Sequence, residues 1–125
     1  MRKYAILKEA VPANDYGDLV RKIMIYETKK EGVFLFLFLS TDEYSMGSFD
    51  YWFPDLESAE ECAKEDFGIN DDDWISIDDP LPHCQDDSIH PIRIKGRDKG
   101  NPIWGELEIY DGTNWVEFIP PKAKK

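Results

Sequence analysis

The chain has 125 residues, of which 42% are hydrophobic, 14% aromatic and 33% charged, with a net charge of −11. A chain of that length builds one core, burying roughly two thirds of its unfolded surface, without help from metals or disulfides, and its apolar content excludes a disordered class. The longest apolar run, Val33 to Leu39, is seven residues, against the roughly 20 that a membrane helix needs. No membrane association is expected.

The predicted elements follow in chain order. Tyr4 to Val11 reads as a strand, closed by the turn residues Pro12, Asn14, Asp15 and Gly17. Leu19 to Thr28 and Val33 to Ser40 form a β-hairpin around Lys29, Lys30, Glu31 and Gly32. Side chains alternate along a strand, so Phe34, Phe36 and Phe38 face one side and Val33, Leu35, Leu37 and Leu39 the other. Such a strand needs cover above and below, or else one face forms a homodimer interface. Ser48 to Phe53 is a fourth strand, with Asp50 and Trp52 on one face, and Pro54 ends it.

Next comes the one main helix. Asp55 is suited to its N-cap, and Leu56, Ala59, Ala63 and Phe67 recur at helical spacing over residues 56–67. Gly68 fits the left-handed position that closes a helix, with Ile69 folding back as in a Schellman ending. Asp71, Asp72 and Asp73 make a hydrated turn, and Trp74 to Ile77 a short strand with Trp74 under the helix. Pro80, Pro82 and Pro91 bracket a loop. Ile92 to Lys95, Ile103 to Tyr110 and Trp115 to Ile119 have strand composition, the last two paired as a hairpin. Strands, one helix and more strands argue for an α+β domain over residues 1–119, an antiparallel sheet with the helix on one face, and a frayed basic tail at 120–125. The C-terminal strands either extend that sheet or cover its second face.

The N-terminus lacks the apolar core of a secretory signal, so a cytoplasmic setting with Cys62 and Cys84 as free thiols is expected. The charge is concentrated in the middle: residues 33–91 hold sixteen acidic residues and only Lys64, whereas each flanking segment has seven Lys/Arg and five Asp/Glu. That field repels phosphate backbones and anionic lipid, so nucleic acid is not an expected partner. A basic protein complements it, with Asp50, Trp52, Asp71, Asp72 and Asp73 as candidate contacts, although the same charge also serves solubility.

Catalytic motifs are sparse. Gly96 and Gly100 have the wrong spacing for a phosphate loop, and Ser48 lacks the second glycine of a nucleophile elbow. The 71–73 aspartates lack the alternate spacing and terminal Glu of an EF-hand. His83, Cys84 and His90 between Pro80 and Pro91 offer imidazole and thiolate ligands, the one place for an alternative metal-site or enzymatic reading. Their spacing matches no zinc pattern, and neighbouring carboxylates would raise the thiol pKa. No cofactor is called for.

Tyr51-Trp52-Phe53-Pro54-Asp55-Leu56-Glu57-Ser58-Ala59-Glu60-Glu61, continuing to Phe67-Gly68-Ile69 and Trp74, resembles a pattern in small uncharacterised bacterial proteins. There an aromatic strand precedes an L-E-x-A helix ending in F-G-I, and a tryptophan opens the next strand. The similarity covers about a fifth of the chain and implies a fold element. Some small acidic bacterial proteins of this size are immunity proteins that neutralise a toxin, which adds an inhibitor or immunity-like role to the partner-binding expectation.

Overall fold

The computed structural model describes residues 1–120. Eight strands and one helix run in the order β1 (Arg2–Pro12), β2 (Leu19–Glu27), β3 (Val33–Phe38), β4 (Phe49–Phe53), α1 (Leu56–Phe67), β5 (Ile75–Ile77), β6 (Ile92–Ile94), β7 (Leu107–Tyr110) and β8 (Trp115–Phe118). The first five strands form one antiparallel sheet in the order β4-β3-β2-β1-β5, and the last three a second sheet, β6-β7-β8. The class is α+β, with the helix packed against strands. No described helix is long and apolar enough to cross a membrane. The expected tail falls, apart from Pro120, outside the described residues.

Local chemistry accounts for the elements. The β2–β3 hairpin closes where Thr28 N–H and Oγ both donate to the Gly32 carbonyl, at 3.0 and 2.6 Å. Asp55 caps α1 by accepting the Ser58 N–H at 2.8 Å, and Gly68 sits at φ 69°, its own N–H and that of Ile69 closing on the Lys64 and Ala63 carbonyls. Ala59, Ala63 and Phe67 then share one core with Ala5, Leu7, Ile23, Ile25, Leu35 and Leu37, and Trp74 packs at its margin.

The doubly apolar strand β3 lies inside the sheet and is covered on both sides within one chain. Val33, Leu35 and Leu37 enter the core shared with the helix, while Phe38 and its neighbour Met24 are buried on the other side. The irregular segment between β5 and β6 reaches this second face, as does the connection between β3 and β4. Arg2, only 4% exposed, donates from Nε to the Asp78 carbonyl (2.7 Å) and from one terminal nitrogen to the carbonyls of Asp86 (3.0 Å) and Ser88 (2.6 Å). Asp87 accepts the Gly47 N–H at 2.9 Å.

Of the two arrangements left open for the C-terminal strands, extension of the first sheet does not occur: they make their own sheet, whose β6 residues Ile92 and Ile94 are buried. The strand expected from Ile103 begins only at Leu107. Ile103 N–H is taken by the Lys95 carbonyl and Glu106 N–H by the Ile103 carbonyl, a tight turn that Gly105 allows at φ 90°. Trp104 is thereby left 75% exposed. Turn closure wins there over β-favouring composition.

Lys22 is fully buried. Its Nζ donates to the Asp42 carbonyl (2.8 Å) and to Ser45 Oγ (3.2 Å) and lies 4.4 Å from the Phe38 ring centroid. Burial pushes the amine down to about 8, against a partly opposing pull from Asp42 and Glu43.

Two predictions follow from these contacts. Phe67→Ala should destabilise the fold by about 3 to 5 kcal/mol, read as a lowered urea midpoint, because the ring fills a core position. For Lys22, below about pH 8 both folded and unfolded chains carry the proton; between about 8 and 10.5 only the unfolded chain does, so this residue's contribution to stability rises with pH across that window. Unfolding curves at about pH 7 and about pH 9.5 should show that Lys22→Met has lost this rise relative to wild type.

Candidate functional site

Among the described residues β4 is an edge strand, paired only with β3 through pairs that include Leu35↔Tyr51 and Phe34↔Trp52. Alternation puts Phe49 and Tyr51 on the helix side of the sheet and Asp50 and Trp52 on the other. The core shared with the helix takes in Phe53 at the end of β4 but leaves the rest of the strand open: Phe49, Tyr51 and Trp52 are 40%, 47% and 57% exposed. Trp52 is nonetheless held in place. Its indole Nε1–H donates to the Glu31 carbonyl at 2.6 Å, and the ring lies over Gly32, where an added Cβ would stand 2.5 Å from Nε1. The hairpin turn thus forms the seat of the indole.

Carboxylates border this edge. Asp50 is exposed and close enough to Asp87 to act on it electrostatically, together with Asp86. Burial pushes the Asp87 carboxyl up, its hydrogen bonds from backbone N–H groups, Gly47 among them, hold it down in part, and the two neighbouring charges push it further up.

The other predicted contacts lie elsewhere. Asp71–Asp73 form a single 3-10 turn leading toward β5, at the opposite edge of the sheet. Four strand spacings separate the two edges, about 19 Å. Asp73 is already engaged, accepting the Asn70 N–H at 2.8 Å.

The loop residues diverge as well. His83 stands at φ 68° with an exposed side chain, while Cys84 is buried and bridges by backbone to Arg93. His90 stacks on Tyr44 with ring centroids 4.4 Å apart, its Nε2 3.6 Å from Glu43 Oε1. Among the described residues, no three His, Cys, Asp or Glu side chains converge as metal ligands. An open cavity of about 400 Å³ does lie here, with Arg2, Cys84, Gln85 and His90 in its wall. Its thiol is not activated: burial pushes Cys84 up, outweighing the opposing pull of Arg93, Arg2 and Arg97. No hydrogen bond joins Cys84 to either histidine among the described residues, so the thiol lacks a partner base.

Arg2 and Lys22 are the residues sequence reasoning missed. Their burial emerges only with the strand register, which sets Arg2 opposite Tyr26 and Lys22 opposite Phe38. Compared with protein-family models, curated proteins and solved structures, the chain finds no match.

Both cysteines are free, and Cys62 is pushed up to about 11 by burial, with Asp66 adding to the effect. Neither should react quickly with a disulfide reagent at neutral pH in the folded state, Cys84 being the slower of the two. Unfolding in urea should accelerate both, as followed by thiol titration with and without denaturant.

Proposed function

We propose that this protein is a non-catalytic protein-binding module that docks a basic protein along β4, with Asp50 and Trp52 at the centre of the contact. The observation that carries this reading is the exposed aromatic edge strand within the most acidic third of the chain. Tyr and Trp are the side chains that dominate binding energy at interfaces, and an indole already fixed by a hydrogen bond loses little freedom when a partner covers it. The β4 edge thus offers a partner an aromatic surface that the rest of the fold leaves exposed.

Asp71, Asp72 and Asp73 act at a distance in this scheme. They add to the field that steers a cationic partner, a contribution screened beyond about 8 to 10 Å at physiological salt. The sequence resemblance supports an inhibitor or immunity-like role in a bacterial cytoplasm, where the two thiols stay reduced. The loop with His83, Cys84 and His90 has a cavity in its favour, but its buried protonated thiol argues against nucleophilic chemistry.

The test is capture from native lysate at low salt, with elution at high salt, followed by kinetics on the partner. Changing Asp71, Asp72 and Asp73 together to Asn should slow association a few-fold and leave dissociation nearly unchanged. Trp52→Ala should speed dissociation roughly thirtyfold, the equivalent of about 2 kcal/mol for an aromatic hot spot. A partner whose binding ignores both Trp52→Ala and Asp50→Asn would remove β4 as the docking surface. Concentration-dependent self-association in place of a partner would favour a homodimeric subunit.

A further inference from the structure

We infer that β4 receives its partner as an added strand: an extended segment of alternating basic and apolar residues that becomes the sixth strand of the first sheet. This inference rests on the partner-binding reading and specifies what the partner presents. β4 has a neighbour on one side only, and among the described residues no backbone hydrogen bond other than those to β3 involves Phe49–Phe53. Its outer N–H and C=O groups are therefore available to another chain, the usual basis of recognition by strand addition.

The two faces of β4 define the side chains of that segment. Because side chains alternate, one set of partner residues falls beside Asp50 and Trp52 and the other beside Phe49 and Tyr51. On the first face a guanidinium or ammonium meets the Asp50 carboxylate, with Asp87 nearby, and the exposed indole, which attracts a cation over its ring. On the second face, two partly exposed aromatic rings offer apolar area beyond the reach of the helix. An alternating sequence satisfies both.

Charge also selects against a second copy of this chain. Edge strands are commonly guarded by lysine or proline, whereas here the guard is Asp50, within a segment carrying sixteen acidic residues and one lysine. Two such edges repel each other, and a basic strand is drawn in. The Trp52 seat supplies the geometric half of the selectivity, since the indole is already fixed by Glu31 and Gly32 before anything binds.

The probe is an end-blocked peptide, Val-Arg-Val-Arg-Val-Arg-Val, compared with its Pro-Arg counterpart, which keeps the charge but cannot donate from alternate positions of a ladder. Binding is measured at low ionic strength, together with amide hydrogen exchange at Phe49–Phe53 in the intact protein. The Val-Arg peptide should bind at least about tenfold more tightly, and the outward β4 amides should exchange at least about tenfold more slowly at saturation. Asp50→Lys, a surface change that leaves the core untouched, should abolish binding, and Gly32→Ala should weaken it by displacing the indole. Equal binding of the two peptides without protection of β4 overturns strand addition and leaves acidic docking standing. Failure of both peptides to bind at low salt overturns strand addition and acidic docking together.

Discussion

A guanidinium buried against three backbone carbonyls is the interaction on which the two halves of this protein depend. Arg2 projects from β1 away from the helix, and the carbonyls of Asp78, Asp86 and Ser88 turn toward it. Burial alone would penalise that charge and lowers its pKa; Asp79, followed by Tyr26 and Asp86, offsets the penalty only in part. The hydrogen bonds are charge-assisted, each worth about 1.5 to 3 kcal/mol. They hold a segment without regular structure over the second face of the sheet, where apolar burial by itself would specify no position. Losing the guanidinium would orphan three carbonyls as well as release the loop.

That attachment explains why β3 can be apolar on both sides within one chain. Its first face joins the core with Ala59, Ala63 and Phe67. Its second face is closed in part by Lys22, whose ammonium lies by Phe38 and ties down the Asp42–Ser45 turn. Two buried cations thus organise the side of the sheet that the helix does not touch, in a protein whose net charge is strongly negative. Among the described residues neither has a carboxylate within ion-pairing distance; both rely on oxygen dipoles and on the more distant acidic field.

The same arrangement leaves β4 bare. Cover from the helix stops short of Phe49 and Tyr51, and the segment anchored by Arg2 meets the sheet near Gly47 and Asp87 without hiding Trp52. That edge carries aromatic side chains on both faces and a carboxylate at its middle, the features on which the proposed strand addition rests. The hairpin turn that ends β2 also supports the indole, so the stability of the first sheet and the placement of Trp52 on its edge are linked through Gly32.

What the sequence by itself determined is the local layer: the β2–β3 hairpin, β4, the helix over residues 56–67 with its Asp55 and Gly68 caps, and the double-faced demand of β3. These follow from side-chain period, turn chemistry and capping, all short-range in the chain. The shared face of Asp50 and Trp52 was legible for the same reason, since side chains alternate along the strand. Only the tertiary structure decided that Asp71–Asp73 lie at the far edge of the sheet, that His83, Cys84 and His90 do not converge on one point, that the last three strands form a second sheet, and that Arg2 and Lys22 are buried. Each of these depends on contacts between residues distant in sequence, as between Arg2 and Ser88, 86 positions apart. No local pattern encodes such contacts, because the free energy of a buried charge is set by whatever polar groups the rest of the fold brings to it.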